Sequence, residues 1–176
     1  MFDRTLVPLS DKPGHHGKAY FDRKSNYSLN VQLINLPNLR IVDYVIGPVG
    51  SMHNASAFAE SRVSQNRAEL LAPGEWIWAD SAYMLVPWCI TPYKKPATLE
   101  PENRRFNYYV SAVLRICSEH AVSFLKCRFQ LLRGLCQQIK NRRDHLWAVK
   151  WIHTCIIIHT LVQDIKQEDT GSGSMR

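Results

Sequence analysis

At 176 residues, 45% hydrophobic and 21% charged, the chain has the length and composition of one ordinary globular domain with a sizeable core. A formal net charge of +7 favours a polyanionic partner, nucleic acid ahead of a membrane surface, because no basic amphipathic helix or lipidation signal accompanies it. Cys89, Cys117, Cys127, Cys136 and Cys155 are an odd set without a Cys-x-x-Cys pair; this argues against a disulfide framework and for a reducing compartment.

The chain enters almost at once into a strand, Phe2-Asp3-Arg4-Thr5-Leu6-Val7-Pro8-Leu9, and no secretory signal precedes it. Pro13, Gly14 and Gly17 mark a loop over Ser10 to Gly17. Tyr27 to Leu33 alternates polar and apolar, which predicts a half-buried strand, and Arg40 to Gly47 predicts its hairpin partner across the turn Leu36-Pro37-Asn38-Leu39. Asn54 can cap a helix from about Ala55 to Gln65. Trp76-Ile77-Trp78-Ala79-Asp80 predicts an interior strand whose final carboxylate emerges at a sheet edge. A proline-bearing loop follows, with Tyr93-Lys94-Lys95 inside it.

A long amphipathic helix is predicted from Asn103 to Arg133, with Gly134 as its stop. Phe106, Val110, Val113, Cys117, Ala121, Phe124 and Leu131 form the predicted buried stripe, and Glu119 is the only carboxylate on the opposite, basic arc. Its plain reading is a solvated charge, four residues after Arg115 and seven before Lys126. A second helix, about Asp144 to Ile165, is apolar on nearly all sides and predicts a core helix rather than a membrane span, since Lys150, His153 and His159 interrupt it. The domain therefore runs over 1–166, and 167–176 is expected to be a disordered Gly/Ser tail. The tryptophans, in apolar runs, are expected in the core. The whole pattern is α/β, a mixed sheet flanked by helices, and the hairpin argues against a purely parallel one.

Three acids occupy distinctive places: Asp3 in the first strand, Asp80 at the end of the later strand, and Glu119 on the long helix. Strand ends and a helix laid across a sheet can bring such residues to one point. Converging carboxylates repel unless a cation lies between them, and few, hard oxygen ligands suit Mg²⁺ or Mn²⁺. Asp43 is a rival acid, read as lying on the solvated face of the hairpin. No Cys/His spacing fits a zinc site.

The strings Tyr20-Phe21-Asp22-Arg23-Lys24-Ser25-Asn26-Tyr27-Ser28, Gly50-Ser51-Met52-His53-Asn54, Ala79-Asp80-Ser81-Ala82-Tyr83, Thr91-Pro92-Tyr93-Lys94-Lys95-Pro96 and Arg115-Ile116-Cys117-Ser118-Glu119-His120 through Leu125-Lys126-Cys127-Arg128-Phe129 occur in order. The ordered set resembles the DDE superfamily endonuclease domain of Harbinger-type transposases and their domesticated nuclease relatives, from about Asp3 to Asp164. The resemblance implies an RNase H-like fold with the first strand shortened ahead of Asp3. It implies a metal-binding, catalytic triad of Asp3, Asp80 and Glu119 using Mg²⁺ or Mn²⁺ for phosphodiester cleavage. It also implies a DNA substrate, a nuclear location and a separate DNA-binding partner protein. Lys94, Lys95, Arg104, Arg105, Arg115, Lys126 and Arg128 are the candidate phosphate contacts. Two departures stand out: Arg4 replaces a family glycine, where it could pair with Asp3 or crowd the metal, and Asn54 replaces an aspartate. They motivate a second reading, a catalytically inactive remnant serving as a DNA-binding or protein-interaction module.

Overall fold

The computed structural model describes residues 1–49, 58–59 and 61–172. Three antiparallel strands form its main sheet: β1 (Phe2–Pro8), β2 (Ser28–Asn35) and β3 (Ile41–Val49), with β2 in the middle. β1 pairs with β2 without a break from Phe2↔Ile34 to Pro8↔Ser28. β2 and β3 make the predicted hairpin, whose turn is closed by the Leu36 amide donating to the Arg40 carbonyl and the Leu39 amide to that of Leu36.

β2 corrects the half-buried expectation: every residue in it is buried. Leu29, Val31 and Leu33 face one core, while Ser28, Asn30 and Gln32, which alternation assigns to solvent, are 0% exposed. A central strand covered on both faces has no solvated side, whatever its pattern. Asp43 is corrected for a related reason. It is buried, and its carboxylate accepts the Val63 amide at 3.3 Å.

After the hairpin come two short helices, α1 (Arg62–Gln65) and α2 (Arg67–Leu70). Ser61 caps α1, its hydroxyl accepting the Ser64 amide at 3.1 Å. The Gly50–Asn54 string and the Asn54 cap lie outside the described residues. β4 (Ile77–Trp78) then pairs in parallel with β5 (Cys89–Ile90), and Ala79, just past β4, bridges Phe2 of β1, also in parallel. That single bridge sets the small pair of strands beside β1.

The long helix, α3 (Pro101–Arg128), starts with proline at its first turn, where the missing N–H costs nothing. It ends earlier than predicted. Gln130–Arg133 is a 3-10 turn, and Gly134 closes that turn rather than the helix. Val110 and Ala121 of the predicted stripe are buried, but the line turns from there to Ser118 and Leu125, whereas Phe124 is 41% exposed. Glu119 and Lys126 therefore each follow a buried residue and stand at the helix–sheet margin, not on the far side.

The last helix, α4 (Arg142–Ser172), continues past Ile165 through the first part of the segment read as a tail. Its stretch Arg142–Glu168 is long and apolar enough to cross a membrane. Ala148, Ile152, Cys155, Ile156 and His159 are instead buried as one stripe, and all but His159 join Val7, Leu29, Val31 and Leu125 in the main core. The opposite side is exposed at Trp147, Trp151, Ile158 and Leu161, so α4 is a one-sided core helix rather than an all-round buried one. Trp76, at 52% exposed, likewise departs from the expected core position. A second core joins Phe2, Ile34, Phe58, Ile77 and Tyr83 on the other sheet face. The fold is mixed α/β.

Candidate active site

Asp3 is the residue after the Phe2↔Ala79 bridge on β1, and Asp80 is the residue after it on the neighbouring strand. Parallel neighbours lie about 4.8 Å apart, so one bridge brings two acids distant in sequence to adjacent positions. Phe2 is pinned below them, its ring 4.7 Å from that of Phe58 and 4.8 Å from that of Tyr83. Strand alternation then turns the Asp3 side chain to the opposite face, toward α3. Asp3, Asp80 and Glu119 line one cavity of about 270 Å³, together with Phe2, Pro92, Ser111 and Ser118.

The electrostatics follow from that gathering. Burial pushes the Asp3 carboxyl above the usual carboxylate range, the Arg4 amide donating to its Oδ1 at 2.7 Å opposes the shift, and the charges of Asp80 and Glu119 add to it. Asp80 is exposed, and its Oδ1 accepts both the amide and the hydroxyl of Ser81 at 2.6 and 3.2 Å. Ser118 is buried, and its hydroxyl has no hydrogen-bond partner among the described residues. Sequence reasoning missed Ser118 and Ser111; a serine on the buried side of an amphipathic helix is the signal that marks the former.

The donor set, three carboxylates and an unsatisfied hydroxyl, is all hard oxygen and fits a divalent Mg²⁺ or Mn²⁺ by type. As they stand, no three acidic, histidine or cysteine side chains among the described residues close tightly enough to hold a metal ion. Carboxylates gathered at one cavity repel one another, and a cation between them would relieve it. A larger hollow of about 480 Å³, between Leu36, Val42, Val63 and Trp76, is mainly apolar and contains none of the triad candidates.

Arg4 is not among the residues that line the acidic cavity. It lines a different hollow with Asp22, Arg23, Lys24 and Lys126, because successive strand residues face opposite ways. The seven candidate phosphate contacts divide. Lys94 and Lys95 are exposed on a loop clamped to α3, where the Tyr93 amide donates to Asn107 Oδ1 at 2.8 Å and Asn107 Nδ2 to the Tyr93 carbonyl at 2.9 Å. Arg104 and Arg105 are exposed on the first turns of α3, and Pro92 of the same loop borders the acids. Lys126 is half-buried and donates to the Leu6 carbonyl at 2.6 Å. Arg128 is tied to α4 through His159 and lies over the Phe124 ring. The side chain of Arg115 lies outside the described residues.

A DDE superfamily endonuclease family model matches residues 2–160. The chain is 25% identical over 165 residues to "Protein ALP1-like" of Arabidopsis thaliana, covering 86% of this chain and 39% of that protein. It is 24% identical over 152 residues to "Putative nuclease HARBI1" of Rattus norvegicus, and equally to the Homo sapiens protein of that name, covering 85% of this chain and 41% of each. The chain thus spans about two fifths of the length of these curated relatives. No solved structure matches it significantly. Matched over nearly its whole length, the chain belongs to the DDE superfamily endonuclease family.

Proposed function

We propose that this chain is a transposase-derived, divalent-metal-dependent DNA endonuclease domain working in the nucleus, with Asp3, Asp80 and Glu119 as its catalytic and metal-binding triad. The observation that carries the reading is the shared cavity: residues from β1, the end of β4 and α3 line one space. An RNase H-like topology is supported by the spatial succession β3-β2-β1-β4-β5, with the first three antiparallel and β4 and β5 parallel to β1.

In this mechanism the three carboxylates hold one edge of the cleft negative and face the scissile phosphate. A bound Mg²⁺ or Mn²⁺ supplies Lewis-acid polarisation of the phosphoryl oxygen and lowers the pKa of an attacking water. Ser118 offers a hydroxyl to whatever fills the cavity, and its burial fixes that hydroxyl in place. Lys94, Lys95, Arg104 and Arg105, at the mouth formed by the clamped loop and α3, hold the flanking backbone by charge without reading sequence.

The test is metal-dependent nicking of supercoiled DNA by the wild type and by Asp80→Ala and Glu119→Ala, with far-UV spectra to verify the fold. Both variants are expected to lose Mn²⁺-dependent nicking; wild-type rates in either reject the triad. The inactive-remnant reading is favoured by the open spacing of the acids. Titration calorimetry separates the two, since a remnant shows no Mn²⁺ binding that Asp3→Asn abolishes.

A further inference from the structure

We propose that the hollow between the edge of β1, the Asp22–Asn26 turn and Lys126 is a phosphate-binding subsite for a nucleic-acid strand, neighbouring the acidic cavity. The hollow, about 410 Å³, is lined by Arg4, Leu6, Asp22, Arg23, Lys24 and Lys126 among others. Its place follows from two register steps. Lys126 comes seven residues after Glu119, two turns along the same side of α3 and about 10 Å further on. Leu6 comes three residues after Asp3, also about 10 Å along β1. The 2.6 Å bond from Lys126 Nζ to the Leu6 carbonyl ties these two steps together. The acidic and basic hollows thus succeed one another along a single β1–α3 seam. A strand whose reacting phosphate lies among the acids, running along that seam, presents another phosphate to the basic hollow.

The charges in the hollow are poorly matched internally. Asp22 is its one acid, and it is occupied in shaping the turn: its Oδ1 accepts the Lys24 amide at 2.7 Å and the Asn26 amide at 3.1 Å. The turn displays Arg23 and Lys24 with their side chains exposed. Arg23, Lys24 and Lys126 form no ion pair with a described carboxylate. Lys126 has two further N–H donors beyond the one given to Leu6. Burial, and the positive charges of Lys24 and Arg133, hold its ammonium below the usual lysine range, a cost that an entering anion offsets.

The inference rests on the nucleic-acid reading above, and one measurement separates their failures. Fluorescence anisotropy of a labelled single-stranded DNA oligonucleotide is recorded with the full chain in EDTA over a salt series. Each phosphate contact on a single strand contributes about 0.7 to the salt slope, so Arg23→Ala/Lys24→Ala is expected to flatten the slope by about 1.4 and weaken binding roughly 25-fold near 0.1 M salt. Arg142→Ala/Arg143→Ala removes the same charge at the exposed start of α4 and is expected to weaken binding much less. Equal losses in the two double variants, or an unchanged slope in the first, overturn the subsite. No DNA binding by the wild type overturns both readings. A wild type that binds through the hollow but does not nick with Mn²⁺ retains the subsite and defeats the nuclease.

Discussion

Arg128 reaches from α3 to His159 on α4, its Nη1 3.1 Å from the His159 carbonyl oxygen and 3.3 Å from ring Nδ1. A guanidinium only donates, so Nδ1 is the acceptor and the ring proton sits on Nε2. The imidazole is 0% exposed, and burial, with the Arg128 charge adding to it, pushes its pKa down to about 4.

That depression makes stability pH-dependent in a definite direction. Between about pH 4 and 6.5 the unfolded chain binds a proton that the folded chain refuses, so the full contribution is present above about 6.5 and falls away as pH drops toward 4. The expected loss across the window is on the order of 3 kcal/mol. Urea unfolding of wild type and His159→Gln at pH 7 and pH 4.5 measures it. The variant should show the smaller pH difference, and identical differences would remove the assignment.

Arg128 therefore belongs to the helix–helix contact more than to a DNA surface. Arg128→Ala leaves the buried His159 ring nitrogen without its donor, removes the second bond to the His159 carbonyl and uncovers Phe124. A loss of about 1–3 kcal/mol is expected. The salt slope of DNA binding should stay the same; a slope reduced as it is for an Arg23/Lys24 double variant would return Arg128 to the phosphate contacts.

The acidic cavity makes the opposite demand on charge. Without metal, Asp80→Asn removes a neighbour that holds the Asp3 carboxyl high, so melting in EDTA is expected to be unchanged or slightly higher. With Mn²⁺ at about 100 times its dissociation constant the wild type should gain about 2.7 kcal/mol, a rise in Tm of roughly 5–11 °C. Asp80→Asn should lose that gain. A variant destabilised in EDTA and still stabilised by Mn²⁺ would count against a shared cation site.

How far these features were legible depends on what each pattern reports. The hairpin was readable because alternation flanks Pro37-Asn38, and Asp80 because an apolar run ended in a carboxylate. The burial of Ser28, Asn30 and Gln32 was not, since alternation describes a strand's two faces and is silent on whether a second layer covers the polar one. α3 shows a different limit. Aromatic Phe106, Cys117 and Phe124 pull the inferred stripe to one side, while the sheet takes Ser118 and Leu125, and only that rotation puts Glu119 at the cavity. The turn carrying Arg23 and Lys24 was visible as a string. Its neighbourhood with Lys126, more than a hundred residues away, is a property of the fold alone.

Phe2 holds the position of Asp3 from beneath. Its ring is 1% exposed and meets Phe58 and Tyr83 edge-on, so Phe2→Ala opens a cavity at the base of the acidic site. A loss of about 3–5 kcal/mol is expected, with Phe2→Leu costing clearly less. Thermal melts give the stability. Mn²⁺ affinity of the folded fraction should fall with Phe2→Ala, because Asp3 inherits its direction from the residue before it. Unaltered Mn²⁺ affinity would show that the bridge to Ala79 alone positions the acid.

Asn107 is the corresponding support on the loop side. Its amide both accepts from the Tyr93 amide and donates to the Tyr93 carbonyl, fastening Lys94 and Lys95 beside the mouth of the cavity. Asn107→Leu removes both bonds. The two are solvent-accessible, so the stability loss should stay within about 1–2 kcal/mol. The functional loss is expected in the binding of DNA: KM for nicking rises severalfold while kcat changes little, because the triad is untouched and only a positively charged loop is released. Asn107→Asp keeps the acceptor and replaces the donor with a charge facing the Tyr93 carbonyl, so it should behave like the leucine variant rather than the wild type. A fall in kcat at constant KM would instead place the loop in the chemical step.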